Sequence, residues 1–270
     1  MIKFTECKKN YRCLFAFTLA EVLITLGIIG VVAALTMSTL IQNMQRQAWT
    51  AQLKKSYSVL NQGFQKMLAG DGVNLLSQTS VFNSIVTHTG PDYYCNTVNT
   101  AANSTFLENL GKYFKIAEIK KFENSDNYKF YYLSGNAASG SYPNYDAPYD
   151  KYSIILTDGT MIINYYFVTP AQGYKTGIMK GFVGNFYIDV NGIKGPNKFG
   201  RDIFMFYVGE NGLVYPYGSH TCSETASYQG VYPGNPDINY WRNNGGCENN
   251  GSSIGDSCAA RVLELGKMDY

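Results

Sequence analysis

Residues 17–37 read FTLAEVLITLGIIGVVAALTM, twenty-one residues with a single ionisable side chain, Glu21. A helix of about 20 apolar residues spans the hydrocarbon core of a bilayer. This run constrains the chain more than any other feature, because it must be covered by lipid or by other apolar helices. Glu21 is the exception that needs a reason. An acid is expensive in hydrocarbon, so it requires a partner, and by default it marks function.

Charge places the run. The formal charge is +2, yet residues 1–16 carry Lys3, Lys8, Lys9 and Arg12 against Glu6 alone. The basic excess therefore belongs to the N-terminal tail, which the positive-inside rule keeps cytoplasmic. Residues 17–270 have 18 basic and 19 acidic side chains. No strong nucleic-acid footprint remains, and no nucleic-acid partner is expected. One reading of the N-terminus is an ordinary secretory signal peptide cut near Ala34. The other is a retained helix, because a helical pattern continues past that point.

Ile41, Met44, Ala48 and Ala51 recur at spacings of three and four, and Leu53, Tyr57, Leu60, Phe64 and Met67 do so after them. Such a stripe predicts an amphipathic helix. Gly70-Asp71-Gly72 is a turn signal, so the helix should end at Ala69. From Phe17 to Ala69 it would measure about 80 Å at 1.5 Å per residue.

The stretch Phe17-Thr18-Leu19-Ala20-Glu21, with a short basic leader before it and a long apolar helix after it, resembles type IV pilins and type II secretion pseudopilins. The resemblance covers roughly the first 55 residues. It implies a leader (1–16), a transmembrane and assembly helix (17–37), an amphipathic continuation (38–72) and an extracytoplasmic α+β domain (73–270). It also implies cleavage between Ala16 and Phe17 by a prepilin peptidase and N-methylation of Phe17. Processed subunits then join other pilin or pseudopilin subunits in a filament, on an inner-membrane assembly platform. The new amine on Phe17 gives Glu21 its partner, within a subunit or between neighbours. Ala16 stands where the family usually has glycine, and no proline occurs near the end of the apolar run, where many pilins have one.

Behind the helix, residues 74–121 read as mixed and mostly helical, with a short amphipathic helix at Phe106, Leu107, Leu110, Phe114 and Ile116. From Tyr128 the period changes. KFYYLS, YSIILTDGTMIINYYFV, GNFYIDVNG and DIFMFYVGENGLVYPYG read as strands, and Asp158-Gly159 and Asn211-Gly212 are hairpin signals. The fold class is α+β: a long helix laid on an antiparallel meander of four to six strands, pilin-like. A final helix is expected over Ser257–Leu265, capped by Asp256 or Ser257.

Cys7 and Cys13 fall in the leader, leaving Cys95, Cys222, Cys247 and Cys258. An even count in an oxidising compartment favours two disulfides. Cys247–Cys258 with Cys95–Cys222 is one arrangement and a Cys222–Cys258 bridge is another. A four-cysteine zinc site is a third reading, without any CxxC knuckle. The loop DVNGIKGPNKFGRD (189–202) offers side-chain oxygens from Asp189, Asn191, Asn197 and Asp202. Calcium takes six to eight oxygens, although the spacing fits no EF-hand. Some pseudopilins bind calcium in such a loop. Turn geometry alone is the other reading of the same residues.

Only two histidines occur, His88 and His220, and neither lies in a catalytic motif; no Walker loop or G-x-S-x-G elbow is present. The chain therefore reads as a non-enzyme. The resemblance implies a structural subunit of a type IV pilus or a type II secretion pseudopilus. The alternative is a minor tip pilin that binds a surface, glycan or DNA through its C-terminal domain.

Overall fold

The computed structural model describes residues 18–83, 106–121, 129–137, 152–167, 182–218, 246–248 and 253–270. Helix α1 runs from Leu19 to Asp71. The chain divides into two compact units, Met1–Gln45 and Arg46–Tyr270.

In the first unit the apolar side chains of α1 lie open, from Leu19, 78% exposed, to Met44, 61% exposed. Among the described residues, α1 is the one helix long and apolar enough to cross a membrane by length and composition. A Cβ added at Gly27 or Gly30 would meet nothing within 4 Å.

The second unit is built on six antiparallel strands in meander order: β1 (Ile116–Lys121), β2 (Tyr152–Leu156), β3 (Met161–Phe167), β4 (Phe182–Asp189), β5 (Ile203–Gly209) and β6 (Val214–Pro216). The Asp-Gly and Asn-Gly turns form as the sequence signals. Gly159 (φ +87°) and Gly212 (φ +72°) take the left-handed backbone. Asp158 accepts from the Thr160 amide at 3.1 Å and Asn211 from the Leu213 amide at 3.1 Å.

Every residue of β5 is buried. Its side chains alternate between two cores, as the pleat requires. Phe204, Phe206 and Val208 join Leu53, Leu60, Phe64 and Met67 of α1 on one face, while Ile203, Met205 and Tyr207 join Phe130, Phe199 and Tyr217 on the other. Stacking of Phe186 on Phe206 at 5.9 Å and of Tyr57 on Phe206 at 5.9 Å fills the helix side.

Three sequence expectations need correction. The stripe residues Ile41, Met44, Ala48 and Ala51 are exposed, and the buried face of α1 starts at Thr50. Ile116 opens β1 rather than ending a helix, whose helical residues are 106–110. KFYYLS is not a sheet strand. Tyr131 makes isolated bridges to Ala137 and Lys198 instead.

The C-terminal helix is Cys258–Leu265. Ser257 holds the N-cap position without a side-chain capping bond, and Gly266 ends the helix at φ +71°.

Candidate functional site

Two places carry the residues singled out in the sequence. The first is the start of α1. Thr18 donates from its amide (2.8 Å) and its hydroxyl (2.9 Å) to Glu21 Oε2, and the Glu21 amide donates back to Thr18 Oγ1 at 3.2 Å. This is a reciprocal capping box, which satisfies amides that the first helical turn leaves without intrahelical partners. Its sequence signal is T-x-x-E, which reading Glu21 only as a membrane charge overlooks. The carboxylate also lies in the first turn, where the helix dipole favours negative charge. Glu21 Oε1 has no partner among the described residues. Ala16 and Phe17 lie outside the described residues.

The second place is the loop from Asp189 to Asp202, between β4 and β5, which the structure folds into one knot. Asp189 pairs with Ile203 across the sheet and accepts from the Asn191 amide at 3.0 Å. Asn191 Nδ2 donates to the Gly195 carbonyl at 3.2 Å. The Gly195–Pro196 bond is cis, and Asn197 takes the left-handed backbone at φ 50°. Asp202 accepts from the amides of Asn197 (2.8 Å) and Lys198 (2.6 Å).

Asp189 and Asp202 are fully buried. Burial pushes the Asp202 carboxyl up to about 6, against the pull of the Lys198 and Asn197 amides and the Asn191 side chain. The side-chain oxygens Oδ1 of Asn191 and Asn197 are buried without a hydrogen-bond partner. All four sequence-selected residues are thus joined by direct hydrogen bonds or side-chain contact.

Turn geometry explains the amide bonds of this loop and leaves the two orphaned oxygens unexplained. Buried acceptors without partners are rare and costly. Hard cations bind such neutral carbonyl oxygens together with carboxylates, so the donor set fits calcium. Among the described residues, no group of three or more His, Cys, Asp or Glu could hold a metal. Any cation here depends on the asparagines.

A C-terminal hook buttresses this loop. Cys247 and Cys258 form a disulfide with Cα atoms 4.8 Å apart, which removes the Cys222–Cys258 arrangement and takes two ligands from the zinc reading. Cys95 and Cys222 lie outside the described residues, as do His88 and His220. Arg261 donates to the Cys247 carbonyl at 2.6 Å and pairs with Asp269 at 2.8 Å. The Tyr270 ring packs against the guanidinium groups of Arg201 (4.9 Å) and Arg261 (5.1 Å), and its hydroxyl donates to the Gly200 carbonyl. The hook carries its own partly buried acid, Asp256, which desolvation pushes up to about 6.

No protein-family profile, curated protein or solved structure matches the chain.

Proposed function

We propose that the chain is a prepilin-like structural subunit: cleaved after Ala16, N-methylated on Phe17 by a prepilin peptidase, and assembled with other pilin or pseudopilin subunits on an inner-membrane platform. The observation that carries this reading is Glu21 itself. It is the one acid in the apolar half of α1, and one carboxylate oxygen remains open after the capping box is made. A processed Phe17 amine, one residue before Thr18, supplies the opposite charge. Pairing the two removes both penalties that an apolar surrounding imposes. Made between neighbours, the pair also sets the axial stagger of one helix against the next. The α+β architecture and the membrane-length apolar helix support the same reading. Activity is then assembly, with no catalytic step.

Intact-mass and N-terminal peptide analysis of protein recovered from its native envelope tests the proposal. A chain beginning at N-methylated Phe17 is the expected result. A chain beginning near Leu35, or one retaining Met1, overturns it.

A second reading concerns the 189–202 loop, favoured by the orphaned oxygens of Asn191 and Asn197. These two, with Asp189 and Asp202, would hold calcium; the cation would neutralise the buried carboxylates and cross-link the loop. Excess calcium should raise the melting temperature and chelator should lower it. Identical melting in both conditions removes this reading.

A further inference from the structure

We propose that the Cys247–Cys258 disulfide is a redox-controlled brace for the 189–202 loop, so that opening it weakens cation binding there and a bound cation resists its reduction. The proposal rests on the calcium reading of that loop. Three contacts carry it. Gly200 lies against the disulfide so closely that a Cβ at that position would stand 2.7 Å from Cys258 Sγ. Gly255 lies against the loop in the same way, its Cβ position 2.6 Å from the Phe199 carbonyl oxygen. The buried Tyr270 hydroxyl donates to the Gly200 carbonyl.

Phe199 and Gly200 stand between the Lys198 amide and the Asp202 carboxylate that it holds. The hook therefore grips the peptide units that set where Asp202 faces Asn191 and Asn197. Residues 246–248 are tied to this hook by the disulfide, and by Gly255 and Ser253 donating to the Gly246 carbonyl at 2.9 Å and 2.8 Å. Both cysteines are fully buried, so a thiol reaches the bond only after the hook lifts from the loop. A cation that holds the loop closed opposes that lifting. Linkage makes the two effects reciprocal at equilibrium.

With a dithiol as reductant, one of its thiolates attacks a cysteine sulfur and expels the other cysteine as thiolate. The second dithiol sulfur then closes the reductant's own disulfide and releases the first cysteine. Two electrons and two protons pass to the cysteines, and the reductant is oxidised by the same amount.

Calorimetric titration of the full chain in detergent with calcium chloride tests the proposal, on the oxidised protein and on the Cys247→Ser/Cys258→Ser double variant. The expected result is about ten-fold weaker binding in the variant, a typical coupling between sites. The same factor appears as about a 30 mV more negative midpoint for disulfide reduction when calcium saturates the wild type. Tyr270→Phe keeps the disulfide and removes one contact; it should weaken calcium about three-fold, which keeps the idea testable if the double variant misfolds. Equal affinities for wild type, double variant and Tyr270→Phe overturn the brace and leave the calcium reading standing. If the oxidised protein binds no calcium, that reading fails and the coupling to a cation fails with it, leaving only the mechanical brace to test. Hydrogen exchange at the Asn197 and Lys198 amides then decides the brace: faster exchange in the double variant supports it, and unchanged exchange overturns it.

Discussion

Ser56 Oγ, on helix α1, lies 2.9 Å from Thr160 Oγ1 at the end of the β2–β3 turn, 104 residues away in sequence, and both side chains are fully buried. Around this bond the helix grips both hairpin turns. Lys55 reaches Asp158 at 3.2 Å, Gln65 donates to the Asn211 carbonyl at 2.9 Å, and Asn61 accepts from the Val214 amide at 2.9 Å. The turns that the sequence announces most clearly are thus also the docking points of the helix.

The buried hydroxyl pair makes an asymmetric prediction. Ser56→Ala removes the buried partner of the Thr160 hydroxyl, which keeps only its contact to the Asp158 carboxylate, and should cost about 1 kcal/mol. Thr160→Val should cost a similar amount. Together they should cost clearly less than their sum, because the double variant leaves neither hydroxyl behind. Urea denaturation of the full chain in detergent measures the cycle. Simple additivity would show that the bond contributes nothing of its own.

Gly63 is required by its neighbour rather than by the helix. A Cβ there would overlap Phe114 Cε1, on a ring packed edge-on against Phe64 at 5.3 Å. Gly63→Ala gains up to about 1 kcal/mol of helix propensity. The displaced ring should outweigh that gain, for a net loss of about 1–3 kcal/mol. In a Phe114→Leu background the same substitution should become neutral or stabilising. A Gly63→Ala variant as stable as the parent would disprove the close-packing account.

Much of this arrangement was legible because turns and strands announce themselves locally. Asp158-Gly159 and Asn211-Gly212 fixed two hairpins, and β-branched and aromatic runs fixed β2 to β5. Asp189, Asn191, Asn197 and Asp202 could be picked by residue type, and hydrogen bonds join Asn191 to Asp189 and Asn197 to Asp202. What escaped depends on distant partners. IAEIKK becomes β1 by pairing Ile119 with Ile154 and Lys121 with Tyr152, across a long sequence gap. KFYYLS is lost to the sheet because the Tyr131 amide is taken by the Asn197 carbonyl. The brace from Tyr270 to Gly200 joins residues 70 apart and left no local sign.

The two elevated aspartates set a pH trend opposite to ordinary acid denaturation. Asp202 and Asp256 both rise from 3.8 to about 6 on folding. The folded state therefore binds more protons than the unfolded state between about pH 4 and pH 6, and stability falls as pH rises through that window. Without calcium, the domain should be more stable at pH 5 than at pH 7.5, by on the order of 1 kcal/mol for each group. Urea midpoints at the two values measure it. Stability that climbs steadily with pH would contradict the desolvation of both acids.

Glu21 makes a capping box with Thr18, and the proposed assembly role adds a charge pair; the two separate by substitution. The capping box needs an acceptor at position 21, whereas pairing with an amine needs charge. Glu21→Gln keeps an oxygen for the Thr18 amide and hydroxyl but cannot neutralise a cation. Thr18→Ala removes the hydroxyl contacts at 2.9 Å and 3.2 Å and leaves the charge in place. If assembly depends on the charge, Glu21→Gln and Glu21→Ala should both be missing from sheared filaments, while Thr18→Ala is incorporated. Membrane levels of each subunit, measured alongside, separate failed assembly from failed insertion. Filaments that accept Glu21→Gln but exclude Thr18→Ala would assign Glu21 to capping alone.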